Sequence, residues 1–119
     1  MDPIGKRRWA IAEGYIPKES VSDDYALRSH ETVCILNAGE REANVAITVF
    51  YTDRDPPPAH RVKVPPRRTL HLRFCDIGVP RGTDYASVIE SDVPIVVQHT
   101  RLDSRRAEIS LLSTIAYTE

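Results

Sequence analysis

The sequence has few cysteines, few glycines and no long apolar run, and each shortage excludes a class of protein. Its 119 residues include only two cysteines, Cys34 and Cys75, which are too few for a disulfide framework and are expected to be reduced thiols. Uncharged stretches such as 43–52 are about half as long as a membrane helix, which needs roughly twenty residues. The chain has five glycines, and it has no Gly-rich phosphate loop, no G-x-S-x-G motif and no cysteine pair at zinc spacing. Most enzyme signatures are therefore missing, and no cofactor is expected.

Neither sign of charge dominates the sequence. Sixteen Lys and Arg residues face 17 Asp and Glu residues, for a net charge of −1. This balance provides no general attraction to nucleic acid or to an acidic lipid surface. The basic patch 6–8 is followed by an apolar run that ends at Glu13, which is short for a secretory signal. We therefore expect one cytoplasmic domain spanning residues 1–119 that does not bind nucleic acid.

Apolar residues alternate with polar ones along several short segments, as in strands that bury one face. The alternation is clearest at 45–51 and 67–75. Further runs rich in Val, Ile, Thr and aromatic residues lie at 9–12, 33–36, 86–89, 95–97 and 109–117. Cys34 is expected to be buried, because it lies inside one of these runs. About eight short strands separated by turn signals predict an all-β fold, an antiparallel β-sandwich or jelly roll.

The segment 95–103 changes character halfway along. On a strand, one face would carry, in order, Ile95, Val97, His99, Arg101 and Asp103. One interpretation is a hydrogen-bonded chain of the three ionisable residues on a solvated strand end. The other is a surface that binds a protein partner or a polyol or carboxylate ligand. A metal site is disfavoured, because one histidine and one carboxylate on either side of an arginine bind a cation poorly.

Three further residues join the candidate binding set. Trp9 shares a strand face with Glu13, so Trp9 is either a core residue or a stacking platform for a sugar ring, with Glu13 as an acceptor. His30 is the third candidate. Its neighbour Glu31 would point to the opposite face of a strand, so the two cannot chelate a metal together.

Four segments of the sequence resemble one known family. They are WAIAEGYIP at 9–17, SHETVCILNAG at 29–39, the region 84–105 with VPIVVQHTRLDSR at its end, and LLSTIAY at 111–117. These motifs are similar to those of the Anabaena sensory rhodopsin transducer family, and the resemblance covers nearly all of 8–117. It implies a small cytoplasmic β-sandwich, similar to carbohydrate-binding domains, that assembles as a homotetramer. It also implies a role without enzymatic chemistry, in which the protein couples to a membrane photoreceptor, a sensory rhodopsin.

Three functions therefore follow from the sequence as hypotheses. The first is a protein-binding transducer whose oligomer docks on the cytoplasmic face of a membrane receptor. The second is a module that binds a small, carbohydrate-like polar ligand and has no link to a rhodopsin. The third, which we do not adopt, is an enzyme that uses His99 and Glu13 for general acid–base catalysis.

Overall fold

The computed structural model describes residues 4–119 and consists almost entirely of antiparallel strands. The elements are β1 (Lys6–Tyr15), β2 (His30–Asn37), β3 (Ala43–Tyr51), β4 (His60–Val64), β5 (Arg68–Arg73), a 3-10 turn (Phe74–Ile77), β6 (Asp84–Asp103), β7 (Ser110–Ile115) and β8 (Tyr117–Thr118). The described residues contain no α-helix. None of their helical segments has the length and apolarity needed to cross a membrane.

Strand β6 belongs to two sheets. Its first half pairs with β1 and β3, and its second half pairs with β2 and β7. The first sheet therefore has the order β4–β3–β6–β1–β8, and the second sheet has the order β5–β2–β6–β7. The two sheets form an open all-β sandwich, which confirms the predicted fold class.

Residues 86–89 and 95–97, which the sequence presents as separate apolar runs, belong to this single strand of 20 residues. Pro94 lies between the two paired halves, outside the ladders with β2 and β3. A proline is tolerated there because its missing N–H removes no ladder hydrogen bond. The strand therefore continues through a residue that normally ends one.

The core lies between the inner faces of the two sheets. Period-two alternation buries one side of each central strand, and the inward residues include Val33, Ile35, Val45, Ile47, Ile89, Ile95 and Val97. Full burial of such a side chain stabilises the fold by roughly 1.5–3 kcal/mol. Phe74, at the start of the 3-10 turn, closes one end of this core and is fully buried.

Cys34 is a correction to the sequence prediction. Its neighbours Val33 and Ile35 are fully buried on the inner face of β2. Because successive strand residues point to opposite sides, Cys34 lies on the outer face and is half-buried. Apolar neighbours on both sides of a residue do not bury it when the strand has only one buried face.

Candidate functional site

Glu31, the second residue of β2, is a fully buried carboxylate. It shares the inner face of β2 with Val33 and Ile35. A carboxylate is almost never found at such a position unless charged or hydrogen-bonding groups surround it. Our sequence analysis considered Glu31 only as a neighbour of His30. The alternation already indicated that Glu31 is buried, because Glu31 lies two and four residues before Val33 and Ile35 and therefore on the same face of the strand.

Four donors from strands β1 and β6 converge on the Glu31 carboxylate. The Tyr85 hydroxyl donates to Oε1 at 2.5 Å and His99 Nε2 donates to the same oxygen at 3.2 Å. Arg101 Nε donates to Oε2 at 2.6 Å. The backbone N–H of Tyr15, at the end of β1, reaches both oxygens at 3.1 and 3.3 Å. Both oxygens of the buried carboxylate are therefore satisfied.

Arg101 connects this buried group to the surface. Its Nη2 donates to Oε2 of Glu13, whose side chain is 70% exposed, whereas the Arg101 side chain itself is 25% exposed. We call the set Glu31, Tyr85, His99, Arg101 and Glu13 the Glu31 cluster. One guanidinium in the cluster thus bridges a buried carboxylate and an exposed one.

Close packing holds the aromatic members of the cluster in place. A Cβ atom on Gly14 would lie only 2.5 Å from the Tyr85 ring, so the ring fits because residue 14 has no side chain. The Phe74 ring lies 5.1 Å from the Tyr85 ring and 6.3 Å from the His99 ring, centroid to centroid. The edge-on arrangement with His99 is a favourable aromatic geometry. The donors to Glu31 are therefore oriented by the core around them.

Burial and hydrogen bonding act in opposite directions on the Glu31 carboxylate. Burial raises the pKa of Glu31, but hydrogen bonds from His99, Tyr85, the Tyr15 backbone and Arg101 outweigh it and hold the pKa below its ordinary value. Burial and the neighbouring Glu31 charge strongly raise the pKa of Tyr85. Burial lowers the pKa of Arg101, and its bonds to Glu31 more than reverse this effect. At neutral pH the cluster therefore contains an ionised Glu31, a neutral Tyr85 and a charged Arg101.

The structure brings together only part of the predicted residue set. His99, Arg101 and Glu13 lie in the Glu31 cluster. Asp103 lies outside it and pairs with Arg105, Nη2 to Oδ2 at 2.6 Å. The predicted hydrogen-bonded chain from His99 through Arg101 to Asp103 is therefore replaced by bonds to Glu31, which the linear pattern did not reveal.

Trp9 and His30 also lie away from the cluster. Trp9 is a core residue that is 6% exposed, and its indole N–H donates to the carbonyls of Lys6 and Ile95. This burial leaves no ring face for stacking on a sugar, which corrects that alternative. His30 points to the outer face of the second sheet, where its Nδ1 donates to the Arg28 carbonyl at 2.6 Å.

The Glu31 cluster has the chemistry of a structural ionic network. His99 is 7% exposed and donates to a carboxylate that already has three other donors. Within residues 4–119, no group of three or more His, Cys, Asp or Glu side chains is arranged to hold a metal ion. The cluster joins β1, β2 and β6 through one carboxylate and presents only Glu13 and the edge of Arg101 to solvent.

The open antiparallel sandwich places this protein in the class of all-β domains, with a buried ionic network on its inner face. The model of the Anabaena sensory rhodopsin transducer family matches residues 4–118. The chain belongs to this family, which confirms the resemblance found in the sequence motifs.

Solved structures similar to this chain include the following two. A structure described as the Anabaena sensory rhodopsin transducer is 53% identical over 86% of this chain and all of its own, with a TM-score of 0.76. The Thermotoga maritima protein 1070 is 38% identical over 97% of this chain and 96% of its own, with a TM-score of 0.88. A search of curated proteins found no match.

Proposed function

We propose that this protein is a non-enzymatic cytoplasmic transducer that docks on a membrane sensory rhodopsin and passes on its signal by direct contact. The observation that carries this proposal is family membership over 4–118, together with 53% identity to the Anabaena transducer. The saturated Glu31 cluster also favours a structural role over a catalytic one.

We further propose that the docking unit is a homotetramer. Strand β7 is exposed along its whole length and pairs with β6 on one side only. It exposes Leu111, Leu112 and Ile115, at 69%, 57% and 56%. An apolar edge strand exposed on both faces invites pairing with another chain unless it is covered. A second copy of this chain covers it in the assembly that we propose.

Titration against a sensory rhodopsin in lipid nanodiscs, in the dark and under illumination, tests the coupling. We expect saturable binding that changes with illumination, and no binding to empty nanodiscs of the same lipid. A light-driven proton pump in identical nanodiscs is the matched control receptor. Equal binding to the pump and the sensory rhodopsin, or no binding to either, would overturn the proposed coupling.

Light scattering on two variants tests the assembly independently of the receptor. Leu112→Asp places a charge on exposed β7 and is expected to reduce the measured mass from about four chains toward one. Val21→Asp, at an exposed apolar residue outside β7, is the control and is expected to leave the mass unchanged. A wild-type protein that remains monomeric at high concentration would contradict the tetramer.

The second function expected from the sequence, binding of a small polar ligand, has support from a different part of the molecule. The Glu31 cluster offers a ligand little, because its members are bonded to one another. A groove on the outer face of β2, β5 and β6 contains Arg73, for which the described residues provide no carboxylate partner.

A further inference from the structure

The outer face of the second sheet contains a groove of about 470 Å³, within the size range of small-ligand sites. The groove lies on β2, β5 and β6, and its lining includes Thr32, Arg73, Thr100, His71, Cys34 and Tyr25. Two of these strands, β2 and β6, also hold members of the Glu31 cluster on their other side. The groove is thus a second polar region, separated from the cluster by the thickness of the sheet.

Strand register places a row of hydrogen-bond donors across the groove floor. Thr32 of β2 is the cross-strand partner of Arg73 on β5 and of Thr100 on β6. Cross-strand partners have Cβ atoms about 4.5–5.5 Å apart, so Arg73, Thr32 and Thr100 form one row across the groove. The Thr100 hydroxyl in this row already donates to Ser113 Oγ at 3.2 Å. In the next row, His71 lies directly opposite Cys34. Main-chain groups here are used by the strand ladders, so side chains alone face a ligand.

Arg73 is held in place without a carboxylate partner. Its Nη1 donates to the Tyr25 carbonyl at 2.6 Å, and its guanidinium carbon lies 3.6 Å from the centre of the Tyr25 ring. Asp76, the carboxylate at the groove edge, accepts the Tyr25 hydroxyl at 2.6 Å. Arg73 forms no salt bridge within the part of the chain that the structure describes. This contrasts with Arg101, which contacts two carboxylates.

We infer that this groove binds a small organic carboxylate, with the carboxylate group on Arg73 and Thr32. A planar guanidinium with free N–H groups matches a carboxylate in charge and geometry. Thr32, which is 8% exposed, supplies a further donor through its hydroxyl at the groove floor. Thr100 and His71 provide polar contacts for the substituents of the ligand. A neutral polyol would leave the Arg73 charge without a partner. The inference does not depend on coupling to a rhodopsin.

Nuclear magnetic resonance on the full-length ¹⁵N-labelled protein tests this inference with two probes of the same carbon skeleton. Sodium L-lactate has the carboxylate, and propane-1,2-diol has a hydroxymethyl group in its place. We expect saturable shifts of the Thr32, Arg73 and Thr100 amide signals with lactate and none with the diol. Sodium chloride at matched ionic strength is the control for general salt effects. Shifts with lactate no larger than with chloride, or equal shifts with the diol, would overturn the inference.

Variants locate the binding in the groove. Arg73→Gln is expected to weaken lactate binding about tenfold or more, because a hydrogen-bonded ionic contact is lost. Arg68→Gln makes the same charge change on the same strand outside the groove lining, and is expected to leave binding unchanged. Thr32→Val keeps the side-chain shape and is expected to weaken binding severalfold, so the test does not depend on the Arg73 variant remaining well folded. Equal weakening by Arg68→Gln and Arg73→Gln would refute the assignment.

Discussion

The two faces of strands β2 and β6 differ in how their polar side chains are used. On the inner face, Glu31 is fully buried and bonded to His99 and Arg101. On the outer face, an open groove contains Arg73, for which the described residues provide no carboxylate partner. Thr32, which is 8% exposed, and Thr100, which donates to Ser113, lie beside it. Both faces carry polar and charged side chains, but the two faces differ in how many hydrogen-bonding partners surround those side chains. A polar group that is buried and saturated holds a fold together, whereas one that is accessible and unsaturated is available to a ligand.

Removal of the buried carboxylate is the most severe test of this comparison. Glu31→Ala would leave Arg101, His99 and Tyr85 without their shared acceptor. Breaking a buried ionic network by removing one member typically costs about 3–5 kcal/mol. We expect a loss of this size in the free energy of unfolding, measured by urea denaturation. A loss below about 1 kcal/mol would show that the inner face does not depend on Glu31.

Arg101→Ala is expected to have the next largest effect. The side chain is 25% exposed, and Glu31 keeps its bonds from Tyr85, His99 and the Tyr15 backbone. We therefore expect a loss of about 1–3 kcal/mol, with partial rescue by Arg101→Lys. Lactate binding in the groove should be unchanged, because Arg101 points to the other face. A variant that lost ligand binding but kept its stability would reverse the roles assigned to the two faces.

Acid provides a milder way to remove the Glu31 charge. Because the folded-state pKa of Glu31 lies below its ordinary value, ionised Glu31 stabilises the fold fully above the ordinary pKa of a glutamate, about 4.3. That contribution is lost as the pH falls through the lower, folded-state pKa. We expect thermal stability to decline in this acidic range, and to decline less in Glu31→Gln.

Asp92 and Asp103 also have lowered pKa values, caused first by hydrogen bonds from Asn44 and Arg105, respectively. Protonation of these two aspartates at low pH destabilises the wild type and the Glu31→Gln variant alike. The difference between the two pH profiles therefore isolates Glu31. Parallel profiles would contradict the lowered pKa of this carboxylate.

The smallest effect is expected from Glu13→Ala. Glu13 binds the same guanidinium as Glu31, but its side chain is 70% exposed. Exposed ion pairs contribute little, so we expect a change within about 0.5 kcal/mol. Urea denaturation of Glu13→Ala and Glu31→Ala in parallel compares two carboxylates that share one arginine and differ in burial. Similar losses in the free energy of unfolding for the two variants would show that burial does not separate the roles of Glu13 and Glu31.

Local patterns in the sequence were sufficient for the fold class and for part of the cluster. Alternation at 45–51 identified Val45, Ile47 and Val49 as inward residues, because side chains of a strand point to opposite faces in turn. The same rule placed His99 and Arg101 on one face, and the structure has both bonded to Glu31. The motifs identified the family that the full-length match confirms.

The sequence did not place Asp103 or Cys34 correctly, and for Trp9 it left a core position and a stacking platform as alternatives. Asp103 satisfies its charge with Arg105, two residues away, because a nearby partner costs little chain entropy to reach. Trp9 finds acceptors in the carbonyls of Lys6 and Ile95, so its ring stays in the core. Cys34 is half-buried because it lies on the outer face of β2, away from the core between the sheets. Each outcome depends on what lies beyond the residue's own strand.

The sequence by itself determined that short alternating strands would pack as a sandwich, since alternation requires only neighbouring residues on one strand. Only the tertiary structure decided that β6 would serve both sheets and that Glu31 would meet Arg101, 70 positions away. The same is true of the groove, where Thr32 stands between Arg73 and Thr100. The physical reason is that period two specifies which face a side chain takes, while the neighbour on that face is set by strand order and register, through contacts distant in sequence.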